Sequence, residues 1–214
     1  MSSGFDTLVP DARAFLADLS NNNSRDWFLA NKDTYDTALK APALALLDTV
    51  AASLEKQTGQ VPGTKLFRPH RDVRFSKDKT PYHTHLHLLW TTPPIGWFFG
   101  ISGDYVTVGA GAMGFDKNAL TAWRASVDGP AGGKITKTLS DLSAKGARIS
   151  DPELKRVPAP YDKDHPNADL LRRKSLTAWF DLSDADIKKG GLITKIETAF
   201  AELLPLGTAL HPPV

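Results

Sequence analysis

Apolar residues recur every three to four positions through the first sixty residues, which predicts helices. Pro10 opens the first, which carries Phe15, Leu16 and Leu19 and stops at Asn21-Asn22-Asn23. Ser24 is a predicted N-cap for a second helix through Trp27, Phe28, Asn31, Tyr35 and Leu39. Pro42 fits the first turn of a third, with Leu46, Leu47, Val50 and Leu54 on its apolar side, and Gly59 with Pro62-Gly63 ends the lobe.

The period then changes to two. Val73 and Phe75 alternate with polar residues, as do Leu86, Leu88 and Trp90. Trp97-Phe98-Phe99 and Tyr105-Val106-Thr107-Val108 follow, separated by Gly and Asp. Strands this close together predict antiparallel pairing, since parallel crossovers take a dozen or more residues. A helix around Leu120 and Trp123, a mixed Lys-rich stretch to about residue 150, a loop-rich segment, a strand at LTAWF and a last amphipathic helix over Ile193 to Leu204 complete the pattern. The predicted class is α+β. The expected organisation is a single domain over 1–214: a helical lobe at 1–62 packed on a mainly antiparallel sheet at 63–182, closed by C-terminal helices at 183–214.

Composition narrows the class without naming a function. With 214 residues, 41% hydrophobic and 23% charged, the chain is long enough to bury its own core. Uninterrupted apolar runs such as Ala43 to Leu47 fall far short of the ~20 residues of a membrane span. The first residues resemble no signal peptide. Cysteine is absent, which excludes disulfides and thiolate catalysis and makes the cytoplasm the expected location. A net charge of +2 is too small for a general nucleic-acid coat, although a local patch remains open.

One patch stands out. Residues 65 to 82, KLFRPHRDVRFSKDKTPY, hold six basic side chains against two acidic ones. SKDKTP reads as a turn, so residues 71 to 90 are expected to form a hairpin. Its buried face would carry Val73, Phe75, Leu86, Leu88 and Trp90, and its open face Asp72, Arg74, His85 and His87. Clustered arginines suit carboxylate or phosphate, Asp72 would orient a guanidinium, and His85 would exchange a proton near neutral pH. The competing structural reading is an Asp–Arg–His network that only braces the hairpin.

Other chemistries compete for the same residues. His83, His85 and His87 share a strand face, and two of them with Asp72 compose the two-His-one-carboxylate set of a metal-dependent hydrolase. Arg74 on that face opposes a cation, so no metal is expected. Basic residues interleaved with Phe67, Phe75, Tyr82 and Trp90 would suit a nucleic acid. Gly109 to Gly114 spells a literal G-x-G-x-x-G, but no second parallel strand with an acidic residue follows, so a glycine-rich turn with close backbone packing is expected instead. Asp164-His165-Pro166, with Lys174 behind it, is either a second wall of the site or a capped helix start. Trp27 and Trp123 are expected in the core.

At these residues the chain resembles the bacterial proteins grouped as domain of unknown function 2461. The resemblance rests on Arg68, Arg71, Asp72, Arg74, Phe75, Asp78, Lys79 and Tyr82. It extends to Asn22, Asn23, Arg25, Trp27, Phe28, Asn31, Lys32 and Tyr35 upstream, to His85, and to Tyr161, Asp164, His165, Leu170, Leu171 and Lys174 downstream. His83 stands where the family has a basic residue, and His87 lies outside the pattern. The family implies no reaction. It implies that polar residues of three separated segments converge on one pocket.

The expectation is therefore a pocket for an anionic, possibly phosphorylated, small molecule, lined by Arg68, Arg71, Asp72, Arg74, Lys79, Tyr82, His85, Asp164, His165 and Lys174. His85, Tyr82 and His165 are the candidates for proton transfer. An interaction module for a protein or nucleic acid is the alternative, and a metal-dependent hydrolase the second. Cofactor, substrate and oligomeric state are not encoded legibly.

Overall fold

The computed structural model describes residues 5–210. Half of the chain is helical, and six strands form one antiparallel sheet, so the class is α+β with helices at both ends of the chain. The strands are β1 (Gly63–Leu66), β2 (His85–Thr92), β3 (Ile95–Ser102), β4 (Val106–Ala112), β5 (Arg148–Ile149) and β6 (Leu176–Asp181), in the order β1-β2-β3-β4-β6-β5.

Two compact units divide the chain. The first holds the residues up to Trp90, Phe98–Val108 and Asp181–Thr198. Its helices begin with α1 (Leu8–Asn21), α2 (Arg25–Ala30) and the short α3 (Lys32–Thr34). A π-helical segment, Tyr35–Lys40, then runs directly into α4 (Ala41–Thr58). The Ser24 hydroxyl accepts from the Trp27 amide, the cap its sequence position predicts. Gly59 ends α4 in the left-handed conformation, at φ 71°. Leu19, Leu39, Leu46 and Leu54 are fully buried. The β2 alternation holds: Leu86, Leu88 and Trp90 are buried, and the Trp90 indole N–H donates to the Leu47 carbonyl at 2.8 Å. By length and composition the continuous stretch Lys32–Thr58 is apolar enough to cross a membrane, which a count of uninterrupted apolar runs does not reveal. In this fold Ala43, Leu46, Leu47, Val50 and Leu54 form its buried side.

The second unit holds Thr91–Trp97, Gly109–Phe180 and the chain from Ala199. It contains α5 (Lys117–Asp128), α6 (Ala131–Ala144) and α7 (Ala168–Leu171). The Lys-rich stretch is thus largely a helix, with Ile135 and Leu142 buried. The G-x-G-x-x-G segment departs in part from the expected turn. Gly109 and Gly111 lie inside β4, not in a turn. Close packing is the reason for glycine: a Cβ on Gly109 would stand 2.2 Å from the Trp179 ring. One on Gly111, at φ 142°, would stand 2.1 Å from the Leu176 carbonyl oxygen. Short α8 (Asp184–Gly190) belongs to the first unit, and α9 (Leu192–Leu210) begins in the first unit and continues in the second.

A basic groove beside the stacked histidines

The expected 71–90 hairpin does not form as a ladder. Residues 71 to 81 are a loop, Phe75 is 96% exposed, and the only bridge outside the named strands among the described residues is antiparallel, His70 to Tyr82. Val73 and Phe75 therefore do not share a buried face with Leu86, Leu88 and Trp90. Local side-chain bonds win over the alternation. Asp72 accepts from the Arg74 amide at 3.2 Å, and Asp78 from the Thr80 amide at 2.9 Å. Such Asx-type bonds turn the chain where a ladder needs it extended.

The loop consumes most of its own charge. The Arg74 guanidinium forks onto Asp72, with Nη2 to Oδ2 at 2.7 Å and Nε to Oδ1 at 3.0 Å. Arg71 Nη1 donates to Asp78 at 2.5 Å, to the Thr80 carbonyl at 3.1 Å and to the Thr80 hydroxyl. Lys79 donates to the Val73 carbonyl at 2.9 Å. Hydrogen bonds from Arg74 hold the Asp72 carboxyl below its ordinary range. Asp78 is pushed down to about 2, first by the Thr80 amide and then by Arg71.

Asn23 fixes the neck of this loop. Its side chain both accepts from the Tyr82 amide, at 3.0 Å, and donates to the Tyr82 carbonyl, at 2.9 Å. The Tyr82 ring stacks on Phe28 with centroids 4.1 Å apart, and it is 3% exposed. Tyr82 is thus a core residue, not a wall of the groove.

A groove of about 620 Å³ lies at the base of the loop, and Arg68, Asp72, His83 and His85 give it its polar character. Lys65, Leu66, Phe67 and His70 complete it. Lys65 sits over the Phe67 ring at 4.6 Å. Arg68 makes no hydrogen bond or ion pair with another described residue, yet its charge acts on both Asp72 and His83.

The histidines form a column along the open side of β2. His83 and His85 have centroids 4.7 Å apart, and His85 stacks on His87 at 3.7 Å and 14°. His87 Nε2 lies 2.7 Å from the Tyr105 hydroxyl. Gly100 leaves room for that ring, since a Cβ there would come within 3.0 Å of it. Desolvation lowers the pKa of all three, and each is lowered further by neighbouring charge: Arg71 and Arg68 for His83, His83 for His85, and His85 then His83 for His87, which falls to about 3. At neutral pH the rings are uncharged, each with one N–H donor and one acceptor nitrogen. Stacked imidazoles do not converge on one point, and among the described residues no group of three His, Asp or Glu side chains is arranged to hold a metal ion.

The remaining candidates lie in the second unit. His165 is committed at both nitrogens: Nδ1 accepts from the Asn167 amide at 3.0 Å, and Nε2 faces Asp128 Oδ1 at 3.1 Å. Asp164 is exposed beside Lys163. Lys174 contributes main-chain groups, its amide to Glu153 and its carbonyl to Phe115. A larger cavity of about 1270 Å³ between α5, α6 and α9 is lined mostly by small and apolar residues, with Lys134 the one charged residue among the described residues that line it. It lacks the convergent polar groups of a reactive site.

The profile of a conserved hypothetical protein, DUF2461, matches residues 11–208. The chain belongs to the DUF2461 family. No curated protein matches it, and no solved structure does. Within this DUF2461 chain several of the resembling residues have a clear place around the loop and groove. Asn23, Phe28 and Tyr82 tie the loop neck, and Arg71, Asp78 and Lys79 brace the loop. Arg68, Asp72 and His85 line the groove. Lys65, His70 and His83 line it as well, although sequence reasoning did not select them as site residues. His83 was visible through its alternation with His85. The contact with Tyr105 carried no sequence signal, because it depends on which strands are neighbours.

Proposed function

We propose that the protein binds a small anion, a phosphate or carboxylate group, in the groove at Arg68. The observation that carries this reading is the contrast in commitment: Arg71 and Arg74 are spent on the loop, and Arg68, beside Asp72, His83 and His85, has no hydrogen-bond or ion-pair partner among the described residues. A guanidinium with open donors suits a planar or tetrahedral oxyanion. The histidines stay neutral, so they add N–H donors and acceptor nitrogens without a charge that would need its own partner. Among the three candidates for proton transfer only His85 lines the groove. It is the group to exchange a proton with a bound acid, should a reaction take place there. The same reading puts the protein in the cytoplasm, where small phosphorylated anions are made and consumed.

A second reading rests on Phe75. A ring 96% exposed at the tip of a braced basic loop, with the Arg74 guanidinium 5.9 Å from its centroid, suits stacking on a nucleic-acid base. One calorimetric comparison separates the two. Inorganic phosphate and a short single-stranded oligonucleotide are titrated into wild type, Arg68→Gln and Phe75→Ala. The small-anion reading expects saturable phosphate binding that Arg68→Gln weakens at least about tenfold and Phe75→Ala leaves intact. Salt-sensitive oligonucleotide binding lost in Phe75→Ala, with no phosphate binding, would replace it with the second reading.

A further inference from the structure

A second cavity adjoins the groove. It measures about 560 Å³ and shares Lys65 to Arg68 and His70 with it, so the Arg68 side chain borders both. Its other wall is different in kind: Phe28 and Tyr35 with Leu44, and Lys32, Asp36 and Lys40 at the polar edge. Leu44 is 43% exposed, one of few large apolar side chains in the described residues left open to water. Asp36 is held by Lys32 and by Lys40 at 3.9 Å, so those two cations are answered within the wall. What remains of this cavity is an apolar space beside the Lys65 ammonium, which lies over the Phe67 ring, and the Arg68 guanidinium, which has no partner among the described residues.

The backbone here is unusual as well. Tyr35–Lys40 is π-helical, a rare geometry that is found disproportionately at functional sites. Its wider turn sets Tyr35, Asp36 and Lys40 together on the cavity wall. Burial pushes the Tyr35 phenol up to about 12, so it stays protonated at any physiological pH.

We propose, resting on the anion reading of the groove, that the ligand is an anion bearing an apolar body: the charged group meets Arg68, and the body lies in the adjoining cavity against Leu44, Phe67 and Tyr35. Covering Leu44 and filling the cavity adds burial that a bare oxyanion cannot supply. Inorganic phosphate and phenyl phosphate, titrated by calorimetry into wild type, Leu44→Asp and Arg68→Gln, test this. Leu44 is exposed, so its substitution spares the core. The expected result is phenyl phosphate binding about tenfold or more tightly than phosphate in wild type, that advantage vanishing in Leu44→Asp, and both probes weakening in Arg68→Gln. Equal affinities for the two probes in wild type would overturn the inference and leave the anion reading standing. A phenyl advantage untouched by Leu44→Asp would also overturn it, by placing the ring elsewhere. Binding of neither probe would overturn both.

Discussion

Two polar segments, the loop and groove at 65–87 and the stretch at 161–174, look alike as sequences and differ as chemistry. Both are rich in Asp, His, Arg and Lys. In the second, most polar groups find partners internally, the buried Arg173 Nε being an exception. His165 is engaged at both nitrogens, and Asn167 donates to the Val127 carbonyl at 2.8 Å. Arg173, 7% exposed, donates to the Ser150 carbonyl. These residues hold α5, α6 and the segment before β6 in register. In the first, the loop is equally self-satisfied, but it stops short of the groove, where Arg68 and the His83 and His85 rings keep open donors and acceptors. A charged sequence pattern therefore marks a polar network, and the groove differs in keeping its open donors on an exposed guanidinium, the feature on which the proposed binding rests.

The largest effect should come from breaking the filled network. A Cβ at Gly132 would stand 2.1 Å from the Asn167 amide nitrogen and 2.2 Å from the Val127 carbonyl oxygen. Gly132→Ala should cost about 3 kcal/mol, a fall in Tm of roughly 6–12 °C. Phosphate affinity at 20 °C should be preserved. Calorimetric melting with a binding titration checks both; a variant that melts like wild type would show the packing to be looser than described.

Next comes pH. The fold favours the neutral form of His87, whose pKa falls from 6.5 to about 3. A depressed folded-state pKa contributes stability in full above the unfolded value, lost as pH falls toward the folded value. Stability should accordingly decline from pH 6.5 downward, by roughly 5 °C in Tm at pH 4.5. His83 and His85 act in the same direction. His87→Asn should flatten that slope; a Tm independent of pH over this window would mean the rings are more hydrated than their stacking implies.

The smallest effect on stability should come from Arg68, the residue to which the proposed function assigns the anion. Arg68 is exposed and unbonded to other described residues, so Arg68→Gln should change stability by no more than about 0.5 kcal/mol. Its cost appears in ligand affinity alone.

Much of this was legible beforehand, for identifiable reasons. Helix periodicity, the Ser24 cap and the Leu86–Leu88–Trp90 alternation are local signals, and each survives in the fold. The strand over Val73 and Phe75 failed because Asp72 and Asp78 bond the nearest amides and bend the chain. Sequence placed Arg68, Asp72 and His85 in the candidate site. It could not rank Arg68 above Arg71 and Arg74, because commitment depends on partners that only the folded loop supplies. Tyr82 read as a proton donor for the same reason, and the fold stacks it on Phe28.

The most direct test follows the histidine ring signals by NMR while inorganic phosphate is added at pH 7. His83 and His85 should shift together and saturate in wild type and stay still in Arg68→Gln, with His165 silent in both. A His165 response, or His85 shifts that persist without Arg68, would contradict the assignment of the groove as the binding site.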